Sequence, residues 1–270
     1  MTKKMLQDDL LWRNISELPY FRGFLRAVEG RFYENIELGD QILDLGCGDG
    51  HFTSRTFANT DNQFHGVDPE FRALSQASQN TVYKNLVCCV GNFLPYENAQ
   101  FDTIISNSVM EHIQDIDDVV FEAHRVLKPS GKMIITVPNN NFTNNLSIAR
   151  FLESIGLNIL ANGYRKLFNW ISRHYHPDTL GEWLNKLERN GFIITNHWNY
   201  FSEKSLGILE WGHYFGLPSL MNYILFHKWV LFPSMKNPLL KRIYFWLKPH
   251  YEKDQKSENG AYSFIIAVKK

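Results

Sequence analysis

From Gln41 to Val137, short apolar runs alternate with amphipathic stretches along the chain. This alternation is typical of βαβ units, in which buried parallel strands are joined by helices that cover the sheet. Two further apolar runs, both beyond position 190, also have the character of strands. The predicted strands are Ile42–Leu45, Phe64–Val67, Leu86–Val90, Thr103–Ser106, Met133–Val137, Phe192–Trp198 and Tyr262–Val268.

Apolar residues at helical spacing predict helices before and between these strands. The first would lie over the sheet, and the third would end at a turn formed by Lys128–Gly131. Pro177 is a start signal for the fourth, and Gly191 is its expected cap. The predicted helices are Leu18–Tyr33, Glu70–Gln79, Asp117–Leu127 and Asp178–Asn190.

The chain is predicted to be a single domain over residues 1–270, with a helical cap at 1–40. Two stretches, 139–175 and 199–260, go beyond a minimal sheet. Both follow the carboxyl ends of predicted strands, the edge at which open α/β sheets bind ligands. We therefore predict that both are helical insertions that form a substrate lid.

The segment 199–260 is rich in Trp, Tyr and Phe and also carries basic residues. One interpretation is an amphipathic helix pair that packs its own small core as part of the lid. The other is a surface that grips a lipid-linked or membrane-interfacial acceptor, because basic and aromatic residues together suit an interface. Trp229 and Trp246 would then contact the membrane. The interleaved bases are Lys228, Lys236, Lys241, Arg242 and Lys248.

Composition sets limits on the function. Lys plus Arg equals Asp plus Glu at 28 each, so no overall field favours nucleic acid. Cys47, Cys88 and Cys89 are poorly spaced for a disulfide framework and are expected to be reduced thiols. The first residues do not have the pattern of a signal peptide, and no apolar run reaches about 18 residues. These features predict a cytoplasmic protein, with peripheral membrane contact through 199–260 as an open alternative.

The motif ILDLGCGDG places three glycines directly after a predicted strand and before a helix. Glycines at Gly46, Gly48 and Gly50 let the backbone turn tightly and approach a ligand without obstruction by Cβ atoms. The dinucleotide fingerprint G-x-G-x-x-G would need glycine at His51, so a nicotinamide cofactor is disfavoured. Asp68 ends the next strand, where its carboxylate can accept hydrogen bonds from both ribose hydroxyls or, alternatively, cap the following helix.

On these motifs the chain resembles class I S-adenosylmethionine-dependent methyltransferases of the small-molecule, type 11-like group. The resemblance covers about Pro19 to Pro138 and includes GNFLPYENAQFD, SNSVMEHIQD and RVLKPSGKMIITVPN. It implies an α/β fold, a Rossmann-like doubly wound seven-stranded and mostly parallel sheet with helices on both faces and a helical lid. The implied cofactor is S-adenosyl-L-methionine. The residues implied to bind it are Arg22, Asp44, Gly46, Cys47, Gly48, Gly50, Asp68, Pro69, Asn92, Phe93, Ser106 and Asn107.

Catalytic candidates come from the need to remove a proton if the acceptor is a hydroxyl. Histidine suits that task near neutral pH. His112 is expected to begin the helix after the fourth strand, beside Glu111, where this class brings the acceptor to the methyl group. His174 precedes a later helix and would face the same site. Glu111 and His112 could instead only cap and orient their helix.

Missing motifs narrow the substrate. No Asn-Pro-Pro-Tyr type motif and no Pro-Cys pair follow the fourth strand, so nucleic acid is not an expected partner. Ser106, Asn107 and Ser108 do not supply the clustered carboxylates of a Mg²⁺ site, so no metal is expected. The leading hypothesis is methyl transfer to a small or amphipathic acceptor, on oxygen of a glycan, glycolipid or quinone-like precursor. The alternatives are a protein methyltransferase and a non-catalytic cofactor-binding module.

Overall fold

A computed structural model describes residues 9–58, 60–176, 178–216, 221, 237–253 and 256–270. Trp229, Lys228 and Lys236 of the aromatic and basic segment lie outside the described residues, as does the predicted helix start at Pro177. The protein forms one seven-stranded sheet in the order β3-β2-β1-β4-β5-β7-β6. The strands are β1 Ile42–Leu45, β2 Phe64–Asp68, β3 Tyr83–Cys88, β4 Phe101–Asn107, β5 Leu127–Pro138, β6 Phe192–Tyr200 and β7 Tyr262–Lys269.

Strands β1 to β5 pair in parallel, while β7 runs antiparallel to both of its neighbours. The seven-stranded, mostly parallel, Rossmann-like sheet predicted from the sequence is therefore confirmed. The helices are α1 Leu10–Glu17, α2 Tyr20–Arg31, α3 His51–Thr56, α4 Phe71–Ala77, α5 Ile116–Val126, α6 Asn141–Asn144, α7 Ser147–Ser154, α8 Asn158–Ser172, α9 Leu180–Arg189, α10 Glu203–Phe215 and α11 Pro238–Lys253. A 3₁₀ turn, Met110–His112, follows β4.

Alternate residues of a strand point to opposite faces of the sheet, and helices pack on both faces. Ile104 packs under α5 and α9, where Trp183 is fully buried. The next residue, Ile105, belongs to the core on the other face, which α1 and α2 cover. Helices α10 and α11 pack on those two N-terminal helices rather than over the strand ends.

Three predicted elements differ locally from the structure. The N-terminal helix is two helices, because Pro19 keeps Leu18 extended and starts α2 afresh. Strand β3 begins at Tyr83, earlier than predicted. The apolar pattern missed its first half because those residues of the edge strand are polar and partly exposed. The predicted Lys128–Gly131 turn is an irregularity inside β5, where the pairing with β4 shifts register.

The two predicted insertions have different surroundings. In 139–175, helix α8 reaches the carboxyl end of the sheet and lines a cavity there. The described part of 199–260 packs on the N-terminal cap instead: Tyr244 meets Trp12 edge to face, and Lys248 Nζ lies 3.1 Å from Asp9 Oδ2. Its described residues line neither cavity at the strand ends. In the described part of the chain, 139–175 is therefore the insertion that borders a cavity at the strand ends.

Candidate functional site

The glycine loop after β1 is folded back onto the end of β2. Gly46 N and Cys47 N both donate to the Val67 carbonyl, at 2.8 and 3.0 Å. Gly46, Gly48 and Gly50 have φ values of +78°, +54° and +72°, a left-handed conformation in which other residues are strained. At Gly46 there is also no room for a side chain, since a Cβ atom would lie 2.4 Å from Val109 Cγ1.

Asp68 lies directly against this loop. Its Oδ2 accepts a hydrogen bond from Gly48 N at 2.9 Å, and its Oδ1 accepts one from Glu70 N at 2.8 Å. The two interpretations of Asp68 are therefore compatible, because the carboxylate supports the start of α4 and also faces a cavity. A carboxylate has about four acceptor positions, so Asp68 can still accept from a ribose diol.

Asp44 is buried beneath the loop. Thr53 Oγ1 and Tyr83 OH both donate to its Oδ2, at 2.5 and 2.6 Å. Burial raises the pKa of Asp44 to about 6, although these two donors oppose the shift. Asp44 lines the smaller cavity described next, so an ionised carboxylate is available to a cationic ligand group there.

Two adjoining cavities lie at the carboxyl ends of the strands and share Gly46, Glu70 and Val109. The smaller, about 380 Å³, is polar and includes Arg22 and Asn107 in its wall. The larger, about 1060 Å³, extends from Asp68 and Asn92 to helix α8. An amino-acid ligand group fits the character of the first cavity, and a nucleoside with a second substrate fits the size of the other.

The sequence analysis missed a buried glutamate that organises the smaller cavity. Glu29 is fully buried in α2. Its Oε2 accepts from Arg26 Nη1 at 2.8 Å and Asn107 Nδ2 at 2.7 Å, and its Oε1 accepts from Tyr200 OH at 2.9 Å. Although burial opposes the shift, Glu29 raises the pKa of Arg26. The available signal was a glutamate among the apolar positions of a helix, where Phe24 and Val28 flank it.

Arg26, which lines the smaller cavity one turn after Arg22, was missed as well. Both arginines are placed to meet a carboxylate there. Most of the other predicted cofactor residues also lie in a cavity wall, and these are Asp44, Gly46, Cys47, Gly48, Asp68, Pro69, Asn92 and Asn107.

The remaining predicted cofactor residues do not line a cavity. Phe93 is 75% exposed and lies outside both walls. Ser106 is buried, and its Oγ donates to the Leu45 carbonyl at 2.9 Å, which ties β4 to β1. Gly50 is absent from both walls and instead begins α3, where a Cβ atom would meet Tyr83 at 2.6 Å. The contacts of Ser106 and Gly50 assign them to the framework behind the site.

The three catalytic candidates come together at the end of the larger cavity nearest α8. His112 and His174 line its wall, with ring centroids 5.4 Å apart. Glu111 is buried just behind them, and its Oε1 lies 3.8 Å from His112 Nε2. His112 Nδ1 lies 3.0 Å from the Arg173 carbonyl, which links the 3₁₀ turn to the end of α8. His112 therefore does not begin a long helix as predicted, since α5 starts only at Ile116.

Burial is the main cause of the pKa shifts of Glu111, His112 and His174. It raises the pKa of Glu111 to about 8 and, together with the neighbouring His112, lowers the pKa of His174 to about 3. Burial also lowers the pKa of His112. At neutral pH both imidazoles are therefore favoured in the neutral form, in which a ring nitrogen can accept a proton.

A glycine loop closed by a strand-end aspartate, at the edge of this seven-stranded sheet, defines the fold and site of class I S-adenosylmethionine-dependent methyltransferases. Residues 36–191 match the family model described as a methyltransferase domain. This chain therefore belongs to that methyltransferase domain family, and S-adenosyl-L-methionine, the predicted cofactor, is confirmed as the cofactor of the class.

Relatives and solved structures agree with this assignment. The ubiquinone biosynthesis O-methyltransferase of Rhodopseudomonas palustris is 25% identical over 171 residues, which is 58% of this chain and 62% of that protein. Phosphoethanolamine N-methyltransferase 2 of Haemonchus contortus, in complex with S-adenosyl-L-methionine, superposes with a TM-score of 0.57 at 19% identity, covering 99% of this chain and 57% of that one. The [4+2]-cyclase SpnF shares the fold at 14% identity, with a TM-score of 0.58 over 92% of this chain and 80% of its own.

The chain spans less than two thirds of the length of the curated relatives that it matches. The two solved structures named above are below 25% identity and support the fold alone. The acceptor must therefore be argued from the site of this chain itself.

Proposed function

We propose that this protein transfers the methyl group of S-adenosylmethionine to an oxygen of a small or amphipathic acceptor, such as a glycan, glycolipid or quinone-like precursor. The observation that carries the proposal is the pair of cavities joined at Gly46, with Asp68 on one side and Asp44 on the other. In this arrangement Asp68 binds the ribose and Asn92 lies beside the adenine. The methionine ammonium faces Asp44, and its carboxylate faces the two arginines of α2.

The acceptor would occupy the part of the larger cavity between this nucleoside and α8. Its oxygen attacks the methyl carbon in line with the sulfonium, so the carbon–sulfur bond breaks and its electron pair stays on sulfur. Orientation and exclusion of water supply much of the rate in such a step. If the acceptor is a hydroxyl and no metal ion is bound, neutral His112 in the cavity wall is the candidate to take its proton.

The surface around the cavity mouth favours an acceptor with an apolar part. Helices α7 and α8 expose several large apolar side chains, and Trp170, which is 76% exposed, also lines the larger cavity. We call this surface the apolar face. An exposed apolar surface of this kind marks an interaction site, and its continuity with the cavity favours a membrane that presents a lipid-linked acceptor. The apolar face consists of Phe151, Ile155, Ile159, Leu160, Leu167, Trp170 and Ile171.

This proposal gives the interfacial role to 139–175, whereas the sequence analysis considered it for 199–260 as one of two interpretations. Contact with a membrane would be peripheral. In the part of the chain that the structure describes, no helix combines the length and apolar character needed to cross a bilayer.

Calorimetry with S-adenosylmethionine and S-adenosylhomocysteine tests the cofactor assignment. Asp68→Ala should weaken binding by about ten- to a hundredfold, because hydrogen bonds to a charged group contribute about 1.5–3 kcal/mol. Asp61→Ala is the matched control, since Asp61 is exposed and lies outside both cavity walls. The proposal fails if the wild-type protein binds neither compound, or if Asp68→Ala binds as tightly as Asp61→Ala while circular dichroism shows both variants folded.

A further inference from the structure

The Glu111, His112 and His174 side chains form a cluster of electron-pair donors with few hydrogen-bond donors among them. Each offers one ligand atom, and these three atoms all lie within 4.8 Å of one another. They come from two segments, the 3₁₀ turn after β4 and the residues following α8. The fold therefore brings together side chains more than sixty positions apart in the sequence.

The hydrogen bonds of His112 determine which of its ring atoms is available. A backbone carbonyl can only accept a hydrogen bond, so the 3.0 Å contact with Arg173 O places a proton on Nδ1. In the neutral ring Nε2 then carries a lone pair, and it faces Glu111 Oε1 at 3.8 Å. Two acceptors that face each other across this distance need either a shared proton or a cation between them. A carbonyl bonded to the far ring nitrogen is also the usual support of a metal-binding histidine.

Glu111 adds a second, independent observation. Its side chain is only 1% exposed, and its Oε2 has no hydrogen-bond partner among the residues that the structure describes. Leaving a buried carboxylate oxygen without a partner is costly. Arg26 acts on Glu111 through its charge, but its hydrogen bond goes to Glu29. A cation beside Glu111 would supply the missing partner.

We infer that Glu111, His112 and His174 form a binding site for a divalent first-row metal ion of the zinc type. Two imidazoles and one carboxylate are a ligand set that Zn²⁺ accepts, with a further coordination position open. Mg²⁺ prefers oxygen ligands and is disfavoured. The sequence analysis expected no metal because Ser106 to Ser108 lack clustered carboxylates, but that argument does not apply to a site with imidazole ligands.

The use of the ion in catalysis rests on the proposed function. Because both imidazoles line the larger cavity, an ion held by them would contact the acceptor. Such an ion would lower the pKa of an acceptor hydroxyl beside it, and the hydroxyl proton would pass to solvent water. The oxygen then forms its bond to the methyl carbon as the carbon–sulfur bond breaks toward sulfur, which gives a methyl ether and S-adenosylhomocysteine. His112 would act as a ligand and not as the base.

Metal titration of the protein, after treatment with a chelator and dialysis, tests the site without any turnover. Calorimetry with Zn²⁺ should show saturable binding, and Co²⁺ should give visible absorption without the strong bands of thiolate ligation. Glu111→Gln and His174→Ala should each weaken binding by more than about a hundredfold, since even the loss of an outer-shell partner costs ten- to a hundredfold.

Two controls address other ligands for these ions. The double variant Cys88→Ser with Cys89→Ser and the variant His197→Ala should bind as the wild type does, because these residues lie outside the cluster. Absence of saturable Zn²⁺ binding would overturn the inference, as would binding that survives Glu111→Gln and His174→Ala but is lost in a control. Calorimetry with S-adenosylmethionine in the same preparations separates this failure from failure of the proposed function.

Discussion

The cofactor half and the acceptor half of the site are built in different ways. Around the glycine loop, backbone groups donate hydrogen bonds to carboxylates at short range, as in the 2.9 Å contact from Gly48 N to Asp68 Oδ2. Around the acceptor cavity, the wall is completed by a helix from an insertion, and Ile159 and Trp170 of that helix are mostly exposed. The first half is fixed by the sheet itself. The second can vary between relatives without disturbing the sheet, which makes it the expected determinant of the acceptor.

The largest effect should come from adding one methyl group to the glycine loop of the cofactor half. Gly46→Ala combines a left-handed backbone, costing about 1–2 kcal/mol, with overpacking against Val109 of about 1–3 kcal/mol. If the loop relaxes to relieve this strain, its contacts with the cofactor are lost. We expect the affinity for S-adenosylmethionine, measured by calorimetry, to fall by about a hundredfold, with a lower thermal midpoint.

The same substitution in the acceptor half is the control. Gly163 lies within α8, and a Cβ atom there would meet nothing within 4 Å. Gly163→Ala should raise the free energy of unfolding by about 0.5–1 kcal/mol and leave cofactor affinity unchanged. Equal effects of the two variants on cofactor affinity would remove the distinction between the two halves.

How well the sequence predicts each half depends on how far apart in the sequence its contacting residues lie. Asp68 could be placed beside the glycine loop from sequence because consecutive parallel strands end at the same edge of a sheet. The role of Glu29 could not, since its partners Asn107 and Tyr200 are 78 and 171 positions away. The packing of the described part of 199–260 could not be predicted for a similar reason. Aromatic and basic composition is shared by a surface helix and by one packed on its neighbours, and Tyr244 proves to be fully buried.

The next largest effect concerns the acceptor half alone. Ile159→Ser combined with Trp170→Ser should reduce binding to anionic lipid vesicles by about thirtyfold, because it removes roughly 2 kcal/mol of apolar burial at the interface. Vesicle flotation measures this directly. Calorimetry with S-adenosylmethionine should give the wild-type affinity for the same variant, since Ile159 lies outside the cavity wall and Trp170 belongs to α8, on the acceptor side.

The matched control for the apolar face lies on 199–260, the segment for which the sequence analysis left membrane contact open. Trp246→Ser removes a half-exposed tryptophan from α11, which packs on the N-terminal cap. It should leave flotation unchanged. A wild-type protein that does not float with vesicles, or flotation that depends on Trp246 and not on Ile159 and Trp170, would contradict the assignment of this surface to 139–175.

The smallest effect is a pH dependence of the affinity for S-adenosylmethionine, which arises in the cofactor half. Asp44 has a pKa of about 6 and must be ionised to attract the methionine ammonium, so affinity should be lost as pH falls through 6. Between pH 7 and pH 5 the expected loss is about tenfold. The groups that interact with Asp44 are Thr53, Tyr83, Asp68, Arg26, Cys47 and Tyr33. Burial and the nearby carboxylates raise the pKa of Cys47, so its thiol stays neutral over this range.

Asp44→Asn should bind S-adenosylmethionine about tenfold more weakly at pH 7, because one charge-assisted contact is lost, and should show a flatter pH profile. His51→Gln is the control, since His51 lines the same cavity, and the dependence should persist in that variant. Vesicle binding should stay constant over the same pH range, because the apolar face contains no titratable side chain. A dependence that survives Asp44→Asn, or that disappears in His51→Gln, would place the titrating group elsewhere in the cavity and separate Asp44 from the ammonium.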